Sequence, residues 1–251
     1  MSERDRPFMQ MVAEGAFPKY SVIHKFGENP NIDTGTYPED IWDYGGIYTF
    51  STTADITQIA SSSSSDTSKD IVIIGLDANW EEVTQTITLT GQAVVTLSTP
   101  LIRLYRMYNI ASTELVGNVY AAITGATFAS GVPDTANEVR GVILIGNEQT
   151  LMCIYTIPAG CIGYLYQAFS TYGKSSATTA GLTFRVRPYG ETFKIKKQIA
   201  LIGAGSSAFV NDQPFPSALP ARTDVLMRCD FVEANGTNIT GGFTILLKDV
   251  S

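Results

Sequence analysis

Residues that could act as nucleophiles, bases or metal ligands are few in this sequence. His24 is the only histidine, and acyl transfer by a serine or cysteine needs a base beside the nucleophile. Zinc needs several converging histidines and cysteines, whereas Cys153, Cys161 and Cys229 have no metal-ligand spacing. The sequence therefore indicates no catalytic residue, no metal site and no cofactor.

Two glycine motifs contain the residue types of phosphate-binding loops. Gly173-Lys174-Ser175 lacks the glycine that such a loop needs five residues earlier, where Ala168 stands. Gly203-Ala204-Gly205 follows a predicted strand but opens no helix and lies in no βαβ pattern. We interpret both motifs as loop glycines.

Alternating polar residues at Asn29, Asn31 and Asp33 are similar to the start of a calcium-binding loop. The expected glycine comes one position late, at Gly35, and the twelfth position carries Asp40 instead of a bidentate glutamate. A solvated turn is the preferred interpretation.

The composition favours a protein whose surface is covered by neighbours. The chain has 251 residues, of which 44% are hydrophobic and only 16% are charged. A net charge of −7 argues against nucleic-acid binding, which needs clustered lysines and arginines. One basic cluster is interpreted as a solvated sheet edge that blocks aggregation, and it comprises Arg185, Arg187, Lys194, Lys196 and Lys197.

The ends and apolar runs of the chain predict neither export nor membrane insertion. The first ten residues are charged and lack the apolar centre of a secretory signal. The longest apolar runs are far below the roughly 18 residues that a spanning helix requires. We therefore expect synthesis in a cytoplasm, no membrane partner, and three cysteines that form no disulfide.

Alternating apolar and polar residues predict an all-β protein. Val83–Leu89 is the clearest case, and no window has a helical period. Two antiparallel β-sandwich or jelly-roll-like modules are expected at 51–147 and 148–251, after an extended N-terminal arm at 1–50. Several local expectations accompany this division: a flexible loop at Ser51–Asp70, a hairpin of Leu151–Ile157 with Ile162–Phe169, and an edge strand or crossing loop at Asn211–Pro220.

The arm combines many anchoring side chains with few alternating strands. Thr36–Glu39 fits a capping box, which predicts one or two helical turns that end at Gly45-Gly46. We expect the arm to dock on a partner, so that a chain starting near Thr49 keeps its β structure but loses binding. In the alternative, the aromatic residues cap their own sandwich. The candidate partner-binding residues are Phe8, Phe17, Tyr20, Phe26, Ile41, Trp42 and Tyr44.

Several turn and strand phrases together resemble a group of virion structural proteins from tailed bacteriophages, many of them marine. The resemblance covers nearly the whole chain from Lys25 onward. The phrases are Lys25–Gly27, Asn29-Pro30, Asp33–Thr36, Pro38–Asp43, Gly45-Gly46, Gly75–Trp80 with Val83–Leu89, Arg103–Met107, Gln149–Met152, Thr156–Gly160, Gly242-Phe243 and Leu246-Leu247.

This resemblance implies a structural, non-enzymatic role and brings no catalytic residues with it. Within the group, a capsid decoration (cement) protein fits best: a homotrimer on the capsid exterior that binds the major capsid protein at local threefold positions. A component of the tail, head–tail junction or fibre base is the first alternative. A carbohydrate-binding or hydrolytic module that contacts a host surface is the second.

Overall fold

The computed structural model describes residues 7–251, without the side chains of residues 174–178, 204–207 and 213–215. The all-β prediction is confirmed, since this range contains one short α-helix, α1 (Phe8–Ala13), a 3₁₀ turn at Ala136–Glu138, and otherwise strands and turns. In chain order, the strands are β1 (Tyr20–Ile32), β2 (Glu39–Asp40), β3 (Ile56–Ser61), β4 (Thr67–Leu76), β5 (Glu82–Thr90), β6 (Val95–Leu101), β7 (Arg103–Asn109), β8 (Val119–Ile123), β9 (Phe128–Ala129), β10 (Val132–Pro133), β11 (Val139–Ile143), β12 (Ile154–Thr156), β13 (Cys161–Arg187), β14 (Lys194–Leu219), β15 (Asp224–Val232) and β16 (Thr237–Asp249).

Two larger antiparallel sheets and the two-stranded sheet of β9 and β10 form the N-terminal part of the fold. One of the larger sheets has the order β11-β8-β3-β6 and the other β5-β4-β7. In β5, Ile87 and Leu89 are buried while the intervening threonines face solvent, as period-two alternation requires. A shared core of aliphatic side chains, among them Ile59, Ile73 and Leu104, holds these sheets together.

A seven-stranded antiparallel sheet forms the C-terminal part. Its path is β1-β16-β13-β15-β12, with β14 on β13 and β2 on β15. The hairpin of β13 and β14 is unusually long, with 27 and 26 residues in its two strands. Strands β16 and β15 pair with successive parts of β13, whereas β14 runs along the opposite edge. Among residues 7–251, no helix has both the length and the apolar character needed to cross a membrane.

The serine-rich stretch at Ser51–Asp70 is ordered, so the expectation of a flexible loop is wrong. Strands β3 and β4 include half of it. The turn between them is held by Asp66, whose carboxylate accepts hydrogen bonds from Ser61 Oγ at 2.6 Å and from the Gly117 amide at 3.0 Å. Side-chain hydrogen bonds therefore order the turn, while Ile56 and Ile59 of β3 are buried in the core.

The connections around β13 also differ from the predicted hairpin. Strand β12 pairs with β15, not with β13 across the turn at Pro158–Gly160. Both glycine motifs that were interpreted as loops lie inside the long strands β13 and β14. The segment Asn211–Pro220, except for its last residue, does lie in an edge strand, because β14 pairs only with β13.

The N-terminal segment is part of the C-terminal sheet rather than a separate arm. Strand β1 pairs with β16 from Tyr20–Lys248 to Ile32–Thr237. The predicted capping-box helix is wrong, because Asp40 in β2 pairs with Arg228 in β15 and the Glu39 carboxylate accepts from the Gly46 amide at 2.7 Å. These contacts satisfy the segment's polar groups in an extended conformation.

The segment after β2 contributes to both cores. Ile41 is fully buried in the core of the seven-stranded sheet, and the next side chain, Trp42, is buried in the N-terminal core. Asp43 follows them and accepts a hydrogen bond from the Leu151 amide at 2.8 Å. Burial raises the pKa of the Asp43 carboxyl to about 7, although that hydrogen bond opposes the shift.

Truncation at Thr49 is therefore expected to unfold the C-terminal sheet, contrary to the expectation from the sequence. It removes β1 and leaves buried β16 groups without partners. Circular dichroism and thermal melting should show loss of the cooperative transition. A chain that starts at Pro18 keeps every strand and serves as the control, with the transition retained. Cooperative melting of the Thr49 chain at the full-length temperature would contradict this prediction.

Replacing Asp43 by asparagine is expected to stabilise the protein above neutral pH. The folded-state pKa is raised, so the carboxyl's contribution is present at acidic pH and is lost as pH rises from about 4 to about 7. An asparagine side chain stays neutral at every pH. The free energy of unfolding of Asp43→Asn should therefore exceed that of the wild type by about 1–3 kcal/mol at pH 8 and equal it near pH 4. Urea unfolding across this pH range measures the difference, and parallel pH profiles for the two proteins would contradict it.

Candidate functional site

A buried carboxylate joins the two halves of the fold. Asp224, at the start of β15, is 3% exposed. Its Oδ1 accepts from Arg103 Nε at 2.8 Å and from Thr156 Oγ1 at 2.6 Å, and its Oδ2 accepts from Arg187 Nη2 at 2.6 Å. Arg103 belongs to β7 and Arg187 to β13, so this carboxylate links the three-stranded and seven-stranded sheets.

Aromatic rings flank both arginines. The Arg103 guanidinium lies 4.8 Å from the Trp80 ring and 5.1 Å from the Phe50 ring. The Arg187 guanidinium lies 4.7 Å from Phe50 and 4.6 Å from Phe193. The positive charge that Asp224 does not neutralise is therefore held against π-electron faces.

These side chains line an open cavity of about 300 Å³, here called the junction pocket. Tyr189 stands at its rim with 63% of the residue exposed, and its ring meets Trp80 edge-on at 5.4 Å. The pocket is lined by Phe50, Ser51, Thr52, Trp80, Arg103, Arg187, Tyr189, Gly190, Glu191 and Asp224. Aromatic faces beside charged hydrogen-bonding groups can hold a small polar ligand, and the described residues show no nucleophile–base pair here.

Local turns place the rim residues. The predicted polar turn before β5 is present, with Asp77 Oδ1 accepting from the Asn79 amide at 2.8 Å and from the Glu81 amide at 3.0 Å. Trp80 has a positive φ of 67°, a conformation that costs energy for a bulky residue. Its carbonyl oxygen accepts from the Ala159 amide at 2.8 Å, which fixes the turn against the C-terminal half.

A second surface feature is the outer edge of β14. Ile195, Ile202 and Val210 are 49%, 70% and 63% exposed on this strand. Phe231, on β15, adds a half-exposed ring beside Ile195 in an apolar groove. We call Ile195, Ile202, Val210 and Phe231 the edge surface. A long edge strand with exposed apolar side chains is a template for pairing with another chain.

The predicted basic cluster overlaps this strand but is mostly paired. Arg187 binds Asp224, Arg185 binds Asp230 at 2.5 Å, and Lys194 binds Glu191. The cluster is therefore partly internal structure, because Arg187 takes part in the buried network.

The predicted partner-binding residues fall into separate places. One aromatic cluster lies at the N-terminal end of β1. It consists of Phe8, Phe17 and Tyr20, with ring centroids 5.2–6.3 Å apart. Phe26 lies elsewhere on β1, near the His24 ring, which stacks on Phe169 at 5.7 Å. Partner binding by these residues stays a prediction.

The other three candidates lie in or beside the N-terminal and C-terminal cores. Ile41 and Trp42 are 0% and 3% exposed, so neither presents a surface to a partner in this structure. Tyr44 is half-buried and packs on Trp42 at 5.4 Å and on Tyr120 at 6.3 Å. This is the arrangement that the alternative interpretation describes, with aromatics capping their own sandwich.

The calcium-like residues do not converge on one point. Asn29 donates to Glu39 at 2.8 Å, whereas Asp33 accepts from the Gly236 amide at 2.7 Å. Over residues 7–251, no group of three or more His, Cys, Asp or Glu side chains is arranged to hold a metal ion. Cys153 and Cys229 are buried thiols and Cys161 is half-buried, and all three are free.

Sequence reasoning missed the junction network because its members are far apart in the chain. Arg103 and Asp224 are separated by 121 positions. One signal was present: Arg103 alternates with the apolar-faced Tyr105 in the sequence, and both residues are buried in β7. An arginine in phase with core residues predicts a buried acidic partner, although it does not say which one.

These features define an all-β protein with a charged junction between its halves and an apolar outer edge. No protein-family model matches the chain, and no curated protein matches it.

Among solved structures, the chain is similar to the VP2 subviral particle of infectious bursal disease virus. Sequence identity is 10%, with 97% of this chain and 78% of that chain covered and a TM-score of 0.26. For the structure of the Gt strain of the same virus, sequence identity is 12%, with 96% of this chain and 77% of that chain covered and a TM-score of 0.21. Scores this low support no conclusion about this chain.

Asp224→Asn is expected to destabilise the protein strongly. It leaves two buried or half-buried guanidinium groups without their counter-ion, which typically costs about 3–5 kcal/mol. The matched control is Asp230→Asn, which breaks the more exposed pair with Arg185 and should cost about 0–1 kcal/mol. Urea denaturation of both variants measures the contrast, and equal small losses would show that Asp224 is not the link between the halves.

Proposed function

We propose that this protein is a non-enzymatic structural component of a tailed-bacteriophage virion, and specifically a capsid decoration (cement) protein. In this role it binds the exterior of the major capsid lattice as a homotrimer and reinforces it. The family resemblance of the turn and strand phrases supports this role, as does the low content of charged residues.

The edge surface is the observation that carries the proposal. Ile202 and Val210 expose most of their apolar area on a strand that has a partner along only one edge. A neighbouring chain can cover these side chains and also pair with the free backbone groups of β14. Each large apolar side chain buried in this way contributes roughly 1.5–3 kcal/mol to assembly.

The buried junction suits the same role. A decoration protein must keep its shape while the lattice beneath it is under load. The Arg103–Asp224 pair and the shared segment at Ile41-Trp42 hold the halves of this protein together from inside. Its free surface can then be used for contacts with neighbours.

Ile202→Asp is expected to weaken self-association without changing the fold. At 70% exposure the side chain contributes little to the monomer, so the unfolding free energy should change by less than about 0.5 kcal/mol. Loss of one buried anchor should raise the dissociation constant of the trimer by about 10–100-fold. Multi-angle light scattering over a concentration series measures the change, and Thr86→Asp on the exposed face of β5 is the control.

Binding to capsids tests the function of the same variant. Purified capsids incubated with wild-type protein should retain hundreds of copies, and Ile202→Asp should reduce that occupancy. A monomer at high concentration, or a mutant that decorates particles fully, would overturn the proposal. A handful or a dozen copies per virion would instead place the protein in the tail, head–tail junction or fibre base.

The junction pocket favours a carbohydrate-binding role as the second candidate. Trp80 is isolated in sequence, yet the fold brings Tyr189 and Phe50 beside its pocket, together with the charged groups of Glu191 and Arg187. Sugar rings stack on exposed aromatic faces while their hydroxyls bond to such groups. Binding to host glycans without binding to capsids would favour this role over decoration.

A further inference from the structure

A second cavity, of about 320 Å³, lies between β1 and the three-stranded sheet. It is separate from the junction pocket and shares none of its lining residues. Its lining combines apolar side chains from β1 and β4 with a lysine, two tyrosines and several charged groups at its border. The residues are Val22, Ile23, His24, Lys25, Ile74, Glu82, Tyr105, Arg106 and Tyr155.

Lys25 is the unusual group in this cavity. The residue is only 9% exposed, and its Nζ donates a hydrogen bond to the Tyr105 carbonyl oxygen. Burial lowers the pKa of Lys25 to about 7, and the nearby positive charge of Arg106 acts in the same direction. No carboxylate forms an ion pair with Lys25 among the described residues. A neutral amine held by one donated hydrogen bond keeps a lone pair for reaction.

Tyr155 supplies a second buried polar group. The residue is 2% exposed, and its hydroxyl has no hydrogen bond of standard geometry in the described part of the chain, although the Tyr105 side chain lies near enough to interact weakly with it. The neighbouring Tyr105 ring lies 4.5 Å away, but the Tyr105 hydroxyl donates to the Thr156 carbonyl oxygen. A buried hydroxyl without a partner costs free energy in the empty protein, and a ligand acceptor in the cavity can remove that cost.

We propose that this cavity binds a small carbonyl compound and that Lys25 forms a Schiff base with it, with the Tyr155 hydroxyl as hydrogen-bond donor to the carbonyl oxygen. The Lys25 amine adds to the carbonyl carbon and the oxygen takes up a proton, giving a carbinolamine. Loss of water then forms the imine. The reaction joins one amine and one carbonyl and releases one water, so it needs no oxidant or reductant.

The charges at the border favour a ligand without net charge. Arg106 contributes one positive charge and Glu82 one negative charge, so the cavity selects neither anions nor cations strongly. The apolar walls from Val22, Ile23 and Ile74 suit a short hydrocarbon chain. A small aldehyde or ketone meets both conditions.

Reductive alkylation with acetaldehyde and cyanoborohydride at pH 7 tests this site in the full-length protein. The reductant traps the imine as an ethyl group, and peptide mass spectrometry locates it. About half of Lys25 is neutral at this pH, against roughly one part in a few thousand for an ordinary lysine. After allowance for restricted access, Lys25 should react about tenfold or more faster than the exposed Lys194 and Lys196.

Tyr155→Phe separates a designed site from a merely buried lysine. The lost hydroxyl has no hydrogen-bond partner, so the variant should fold and melt like the wild type. Its Lys25 should nevertheless react at least about tenfold more slowly, since the hydrogen-bond donor that polarises the carbonyl is missing. Tyr37→Phe, in an exposed turn, is the control and should leave the Lys25 rate unchanged. Reaction of Lys25 no faster than that of Lys194, or an unaltered rate in Tyr155→Phe, would overturn the proposal.

Discussion

The ion-pair network around Asp224 determines how the two halves of this protein are joined. A carboxylate that is 3% exposed cannot stay charged without partners, and its partners come from β7 and β13. Arg187 lies in the same sheet as Asp224, whereas Arg103 lies in the three-stranded sheet, so any shift of one sheet against the other would separate Asp224 from Arg103 and leave a buried charge uncompensated. The network therefore fixes a single relative position, which apolar contact alone specifies less strictly.

Ile41 and Trp42 reinforce that position through the backbone. Consecutive side chains of an extended segment point in opposite directions, so one residue enters each core. The same segment places Asp40 on Arg228, a second buried ion pair. A stretch that looks like an appendage in the sequence is thus a central connection of the fold.

Alternation predicted the strands well where one face of a sheet is wet, as in Val83–Leu89. Alternation did not predict contacts between residues that are distant in the sequence. Nothing local reveals that Asp66 would order the serine-rich turn, or that the Glu39 carboxylate would bind Gly46 instead of capping a helix. Strand pairing was equally hidden, because β12 pairs with β15 across a large sequence separation. Only Arg103, which alternates with the buried Tyr105 along β7, indicated in the sequence that a charged side chain lies inside.

Some of the few charged residues of this chain lie in its interior. Nine charged residues are buried in the described structure, namely Lys25, Glu39, Asp40, Asp43, Asp66, Lys69, Arg103, Arg140 and Asp224. The chain has 17 basic and 24 acidic residues, and these nine lie inside, where hydrogen bonds and ion pairs fix one arrangement. Apolar area, in turn, is left outside on β14, where Ile202 is 70% and Val210 is 63% exposed. Buried charge makes the interior specific, and exposed apolar side chains on an edge strand offer another chain a place to pair.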